Sequence, residues 1–264
     1  MESTGPVACE STFDNGDLYD ILLGDFDYGL NFYLELARQP DGPVLDIACG
    51  TGRIMLPCLR LGLDVEGLDL YDGMLDRLRR KAAAEQIEPR LNRADMSDFR
   101  LSRRFALIMI PFNAFVHNMT ADAQIRCLQL CREHLLPGGL LAFDTFFPGK
   151  QIIIATDGER VLEGEFAHRD TGLPVRLYDT RSFDRVAQIQ HSQNDIEFLD
   201  ASGRVTATHP SQVSLRWIYK NEMELLLRLA GFTRWQIYGD FDRRPLVNET
   251  DSMIVEAWND AAGA

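Results

Sequence analysis

Residues 44–53 read VLDIACGTGR: an apolar run, then a turn holding two glycines, then the opening of an amphipathic stretch. The pattern predicts a buried strand over 44–48, a tight turn, and a helix over about residues 52–61. Gly50 and Gly52 carry no Cβ, so the turn lets the backbone approach a bound ligand closely. Pro57 lies inside the expected helix and removes one of its hydrogen bonds, which predicts a kink or an early end there.

The same alternation continues toward the C-terminus. DVEGLDL (64–70) reads as a second strand, and Asp72 is placed to cap the helix after it. In that helix Met74, Leu75, Leu78 and Ala82 share one face, while Arg77, Arg79, Arg80 and Lys81 stay wet. PRLNRAD (89–95), FALIMIP (105–111) and GLLAFDTF (139–146) supply three more strands, with a helix over 121–135 stopped by Pro137, Gly138 and Gly139. From about residue 160 to 219 the grammar changes to short alternating stretches, and an antiparallel β insertion is expected. Alternation places Trp217 and Tyr219 on one buried face, with Trp235 also in the core and Arg216 on the other face, where it can reach the pocket. NEMELLLRLAGF (221–232) returns to a helix ended by Gly231, and TRWQIYGDF with SMIVEAW close the chain as two strands. The expected fold is α/β, a doubly wound, seven-stranded, mainly parallel sheet carrying an antiparallel β cap. The cap's alternating apolar residues need a surface to cover, either as a roof over the pocket or as the face of a homodimer.

Composition narrows the function. Forty acidic against 27 basic residues give a net charge of −13, a surface that repels phosphate backbones and argues against nucleic acid. The first twenty residues hold no Lys or Arg, so they lack the basic region of a signal peptide, and no apolar run approaches the ~20 residues that span a bilayer. Five cysteines without a CxxC pair indicate neither a disulfide framework nor a zinc site, and Cys127 and Cys131 lack further ligands at suitable spacing. A cytoplasmic protein without a membrane partner or metal is expected.

The glycine turn selects among cofactors. A nicotinamide-binding turn wants a third glycine where this chain has Met55, so a cofactor without a pyrophosphate fits better. Asp69, at the end of the second strand, is where a carboxylate receives two ribose hydroxyls in such a fold, and Asp95 ends the third strand beside the same crevice. His117 follows the fourth strand at the crevice end, and its ordinary pKa near ~6.5 suits a base at neutral pH. His134, near a helix end, is expected at the surface against the terminal carbonyls. His168, His191 and His209 belong to the insertion, and Arg243 and Arg244 to a turn between the last two strands that is either solvated or meets an anionic acceptor.

In order and spacing, VLDIACGTGR, GLDLYDGML, ADMSDF, FALIMIPFNAFVHN and LLPGGLLAFD resemble the successive motifs of class I S-adenosylmethionine (SAM) dependent methyltransferases. Within that family the chain is similar to the sugar N-methyltransferases of macrolide antibiotic pathways. The resemblance implies a Rossmann-like fold with a helical lid (1–42), a SAM-binding core (43–150), a β cap (151–220) and a closing helix and strand pair (221–264). It implies SAM as cofactor and a small-molecule acceptor methylated at N or O. It places Tyr19, Asp46, Ala48, Gly50, Gly52, Arg53, Asp69, Leu70, Asp95, Met96, Pro111 and Phe112 at the cofactor, with Asn113 beside them, and His117 at the acceptor. The chain departs from those enzymes at Phe13 and Phe32, where they carry tyrosines, and matches their YD pair at Tyr19 and Asp20. PFNAF after the fourth strand differs from the (D/N)PP(Y/W) of amino-methylating nucleic-acid enzymes. The alternative is a SAM-binding regulatory or scaffold protein without transfer, since binding and chemistry are separable.

Overall fold

The computed structural model describes residues 10–23, 26–168 and 170–260. In chain order the elements are β1 (Glu10–Ser11), α1 (Gly16–Leu23), α2 (Leu30–Arg38), β2 (Val44–Ile47), α3 (Met55–Arg60), β3 (Val65–Asp69), α4 (Asp72–Ala84), β4 (Arg90–Arg93) and β5 (Phe105–Ile110). There follow α5 (Ala121–His134), β6 (Leu135–Phe146), α6 (Lys150–Ile153), β7 (Arg160–Ala167), β8 (Pro174–Asp184), β9 (Ile189–Leu199), β10 (Val205–Arg216), α7 (Lys220–Leu229), β11 (Arg234–Tyr238) and β12 (Ser252–Trp258).

Seven strands form one sheet in the order β11-β12-β6-β5-β2-β3-β4, with β12 antiparallel to both its neighbours and the rest parallel. Every residue of β2 and β3 is buried, as strands covered on both faces require, the acids Asp46, Glu66 and Asp69 included. One apolar cluster holds Ile108, Phe115, Phe143 and Leu227 on one side of the sheet. A second holds Tyr33, Leu36, Met55, Leu75 and Met109 on the other. The chain leaves β2 toward β3 and β4 on one side and reaches β5 and β6 on the other, so a crevice opens at the carboxyl ends of β2 and β5.

The β insertion is four long antiparallel strands, β7 to β10, extended by β1 running parallel to β10 through Glu10↔Ser211 and Ser11↔Gln212. Leu18 and Leu22 of α1 bury against Val175 and Ile196 of this sheet, which forms a third, small core. The N-terminal segment thus joins the insertion, pinned by the buried Thr12 and Ser211 hydroxyls 2.7 Å apart. It also rests on α4, where Asp20 accepts from Thr51 Oγ1 (2.6 Å) and Arg77 Nε (2.7 Å). Helix α2 differs from α1: Phe32, Tyr33, Leu36 and Ala37 are buried in the second cluster of the main core.

Several sequence expectations shift. Helix α3 begins at Met55, so Pro57 is its third residue, where the missing N–H has no intrahelical partner to lose and neither kink nor early stop follows. Asp72 is the first residue of α4 and makes no cap; Tyr71 is the cap residue, and the Asp72 carboxylate pairs with Arg93 at 3.2 Å. Strand β6 runs back to Leu135 through the Pro-Gly-Gly segment. Strand β10 ends at Arg216; Trp217 is buried, but Tyr219 caps α7 and is 37% exposed. His134 is buried rather than superficial: Nδ1 donates to the Leu130 carbonyl (2.8 Å) while Nε2 accepts the Leu101 N–H (3.1 Å), a pairing that requires the neutral ring.

One buried contact sets the end of β5. Phe112 and Asn113 both take left-handed backbone angles, φ +62° and +58°. Asn tolerates that region, whereas for Phe112 it costs roughly 1–2 kcal/mol. Both N–H groups donate to the carboxylate of the fully buried Asp144, each at 2.8 Å, and Tyr33 Oη donates to the same carboxylate at 2.5 Å. Asp144→Asn offers one acceptor oxygen for two N–H groups and leaves a buried donor unpaired, so a loss of about 1–3 kcal/mol is expected in urea unfolding. Tyr33→Phe is expected to lose a similar but smaller amount. A wild-type unfolding midpoint for Asp144→Asn would show that the turn holds itself.

Candidate active site

A cavity of about 710 Å³ opens at the carboxyl ends of β2, β3, β4 and β5 and is closed above by the N-terminal segment and β10. Its lining brings together Tyr19, Asp46, Ala48, Gly50, Arg53, Asp69, Leu70, Asp95, Met96, Pro111, Phe112 and His117. Gly52 is not part of the lining: a Cβ there would lie 2.9 Å from the side chains of Leu56 and Leu78, and φ is +89°. Its lack of a side chain serves the packing of α3 against α4, whereas Gly50, with φ +56°, faces the cavity. Asn113 also stays outside the lining.

At the floor, Asp46 is buried with neither carboxylate oxygen hydrogen-bonded. Burial is the main force on its acidity, Arg53 opposes it, Asp69 adds to it and the Met55 N–H, outside good hydrogen-bond geometry, lowers it slightly, so that the pKa is pushed up to about 7. Arg53 lines the same cavity without pairing with Asp46. Its Nη1 donates to the Tyr28 carbonyl (2.7 Å) and weakly to that of Phe26 (3.4 Å), and its guanidinium lies 4.7 Å from the Phe112 ring centre. A guanidinium has five donors, so several remain for a ligand. An unpartnered buried carboxylate and a held guanidinium in one cavity, not touching each other, suit a ligand that brings an ammonium and a carboxylate together.

Asp69 is positioned differently. Its Oδ2 accepts the Gly50 N–H at 2.8 Å and its Oδ1 the Tyr71 N–H at 3.0 Å, which locks the side chain across the glycine turn. Burial raises its pKa and these backbone donors pull it back. Each oxygen keeps a lone pair for a hydroxyl donor, which suits a vicinal diol. Leu70, largely exposed, and Met96 flank this end, and Met96 is fixed by Asn118 Nδ2 at 3.1 Å from its sulfur. Asp95 turns its Oδ1 back to the N–H and hydroxyl of Ser97 at 2.7 and 2.8 Å.

Aromatic rings surround His117 in the same cavity. His117 closes a short 3-10 turn, Ala114–His117, directly after the left-handed pair, and its Nδ1 lies 3.2 Å from the Ser214 carbonyl of β10. The carbonyl can only accept, so Nδ1 carries the proton and Nε2, with no partner among the described residues, is the basic nitrogen. Burial holds its pKa below the ordinary 6.5, and the Ser214 bond opposes this. The Phe13 ring stands edge-on to His117 with centres 5.2 Å apart and also meets Tyr19 and Tyr71. Burial pushes the Tyr19 hydroxyl up to about 12.

Phe13, expected at the position of a family tyrosine, and residues 212–215 of β10, part of the insertion expected as a roof or a dimer face, line the cavity; sequence reasoning missed the clamp of Asp144 and Tyr33. His168, His191 and His209 lie away from the cavity, as does Arg216, whose guanidinium is held by Gln124 and Glu222 at 2.7 Å each. Arg243 pairs with Glu256 at 2.7 Å, and Arg244 with Asp251 at 2.8 Å, so both tie the last strands together rather than meeting a ligand.

Residues 44–139 match the profile of a family described as a methyltransferase domain. Among curated relatives, the dTDP-3-amino-3,4,6-trideoxy-alpha-D-glucopyranose N,N-dimethyltransferase of Streptomyces venezuelae is 29% identical over 51% of this chain and 58% of its own length. The cypemycin N-terminal methyltransferase of a Streptomyces species is 25% identical over 86% of this chain and 87% of its own. Among solved structures, the CcbJ methyltransferase from Streptomyces caelestis superposes with a TM-score of 0.73 at 27% identity, covering 96% of this chain and 99% of that one. The sheet order and the glycine turn braced by Asp69 agree with these likenesses: residues 44–139 match a methyltransferase domain, set in a Rossmann-like α/β fold.

Proposed function

We propose that the protein transfers a methyl group from SAM to an amine nitrogen of a small-molecule acceptor. The observation that carries this reading is the lining of the cavity. The same cavity holds fixed, complementary charges and a diol acceptor together with aromatic rings and one histidine with a basic nitrogen to spare. Bound SAM supplies an electrophilic methyl on a sulfonium, which an acceptor lone pair displaces in line. The names of the relatives favour nitrogen over oxygen as the atom that attacks.

The residues divide the work. Asp46 and Arg53 hold the two charges of the amino-acid end, and Asp69 takes the ribose hydroxyls. Pro111 and Phe112, set by the Asp144 clamp, wall the cofactor on the β5 side. Alignment of the reacting atoms supplies most of the rate in such a displacement. His117 Nε2 removes the proton that the amine must lose, and the Ser214 carbonyl keeps that nitrogen the basic one. Sinking the His117 pKa keeps the ring neutral at pH 7, ready to accept a proton.

Two tests follow. An ammonium brought to Asp46 favours the ionised carboxylate, whose pKa in the free protein is about 7. SAM affinity is therefore expected to rise as pH increases through 7, with a proton released on binding below that pH, seen by calorimetry in buffers of different ionisation enthalpy. Asp46→Asn should remove both effects; a wild-type pH profile in that variant would take Asp46 out of the site. For His117→Ala, turnover at saturating acceptor is expected to fall by roughly 10² to 10⁴. The base must be neutral to act, so the wild-type rate per neutral amine should fall as pH drops through a midpoint below 6.5, and this limb should vanish in the variant. A variant with the wild-type rate and pH dependence would leave His117 a loop residue.

A further inference from the structure

The cavity also states what the acceptor cannot carry. Among the described residues that line the cavity the basic side chains are Arg53 and His117. Arg53 stands at the amino-acid end, and burial keeps His117 neutral. Basic residues on the bordering elements are held by carboxylates: Arg77 and Lys81 by Asp20, Arg80 by Asp17, Arg93 by Asp72 and Arg216 by Glu222. Residues 1–37, which give Ser11, Phe13, Tyr19 and Leu23 to the lining, hold eight acids and no Lys or Arg. What faces an acceptor instead is Phe13, Met119, Val213 and Leu215, with Gln212 and Ser214 as neutral polar groups.

Accepting the transfer reaction proposed above, we infer that the acceptor is an amine on an unphosphorylated scaffold, such as a free or glycosidically linked amino sugar, and not a nucleoside diphosphate sugar. A diphosphate brought to this cavity would lose water without gaining a cation, and the acids of the lining are Asp46, Asp69 and Asp95. A neutral amine on a polar but uncharged ring loses little on entry, and its apolar edge finds the aromatic wall. The net charge of −13 acts in the same direction at longer range.

The test uses the full chain loaded with S-adenosylhomocysteine and titrated with thymidine diphosphate by calorimetry. No saturable binding is expected up to millimolar ligand, and micromolar binding would overturn the inference. In parallel, one 3-amino-3-deoxyhexose is offered with SAM as its methyl glycoside and as its thymidine diphosphate conjugate. The glycoside is expected to be favoured in kcat/KM by a factor on the order of 100. An equal or higher value for the conjugate would refute the assignment. Calorimetry with SAM alone separates the two levels: absent SAM binding overturns the transferase reading itself, whereas SAM binding with conjugate turnover overturns only the substrate class.

Discussion

The Asp144 carboxylate is the constraint on which the site's shape depends. It is fully buried and bound to two backbone N–H groups and the Tyr33 hydroxyl, so it reaches from β6 to the end of β5 and to α2 at once. Burial raises its pKa, and the three donors work against that rise by favouring the ionised form. In return the chain can leave β5 through two successive left-handed residues, a path sterics otherwise oppose. That path puts Phe112 under Arg53 and starts the 3-10 turn that delivers His117. Without the clamp, Phe112 and His117 would lose their common anchor.

A second buried carboxylate does comparable work three strands over, at the end of β3. Asp69 bonds the Gly50 and Tyr71 backbones and so fixes the turns after β2 and β3 relative to each other. Asp46, between them in the sheet, is left without partners. Folding tolerates such a group only where its pKa can rise or a ligand completes it, and the cavity on its open side offers the second route. The N-terminal segment covers the cavity through contacts of another kind, ion pairs of Asp17 and Asp20 with α4 together with the small core it shares with the cap.

The architecture was legible because parallel strands buried on both faces are short and mostly apolar: FALIMI is wholly so, and VLDI and VEGLD keep apolar residues around their acids. Most of the residues that line the cavity were legible for the same reason, since they sit at the ends of those runs. The Asp144 clamp was not, because an acid ending a strand looks like any polar residue at a sheet edge, and its partner Tyr33 is 111 positions away. Gly52 was misread in role because a left-handed turn and a close helix contact both ask for glycine. Tyr219 was misplaced because alternation continues in the sequence beyond Arg216, where the strand ends and α7 begins. His134 looked like a helix-end cation, yet only tertiary packing reveals that its ring bridges two backbone groups.

The central claim is that one cavity holds SAM with its charged end on Asp46 and Arg53, its ribose on Asp69, and its reacting end toward His117. The most direct measurement is a crystal structure of the chain with S-adenosylhomocysteine. The account predicts the amino-acid moiety between Asp46 and Arg53, both ribose hydroxyls on Asp69, and the sulfur on the His117 side of Phe112. A ligand bound elsewhere, or one lying in the cavity while Asp46 stays without a hydrogen-bond partner, would contradict it.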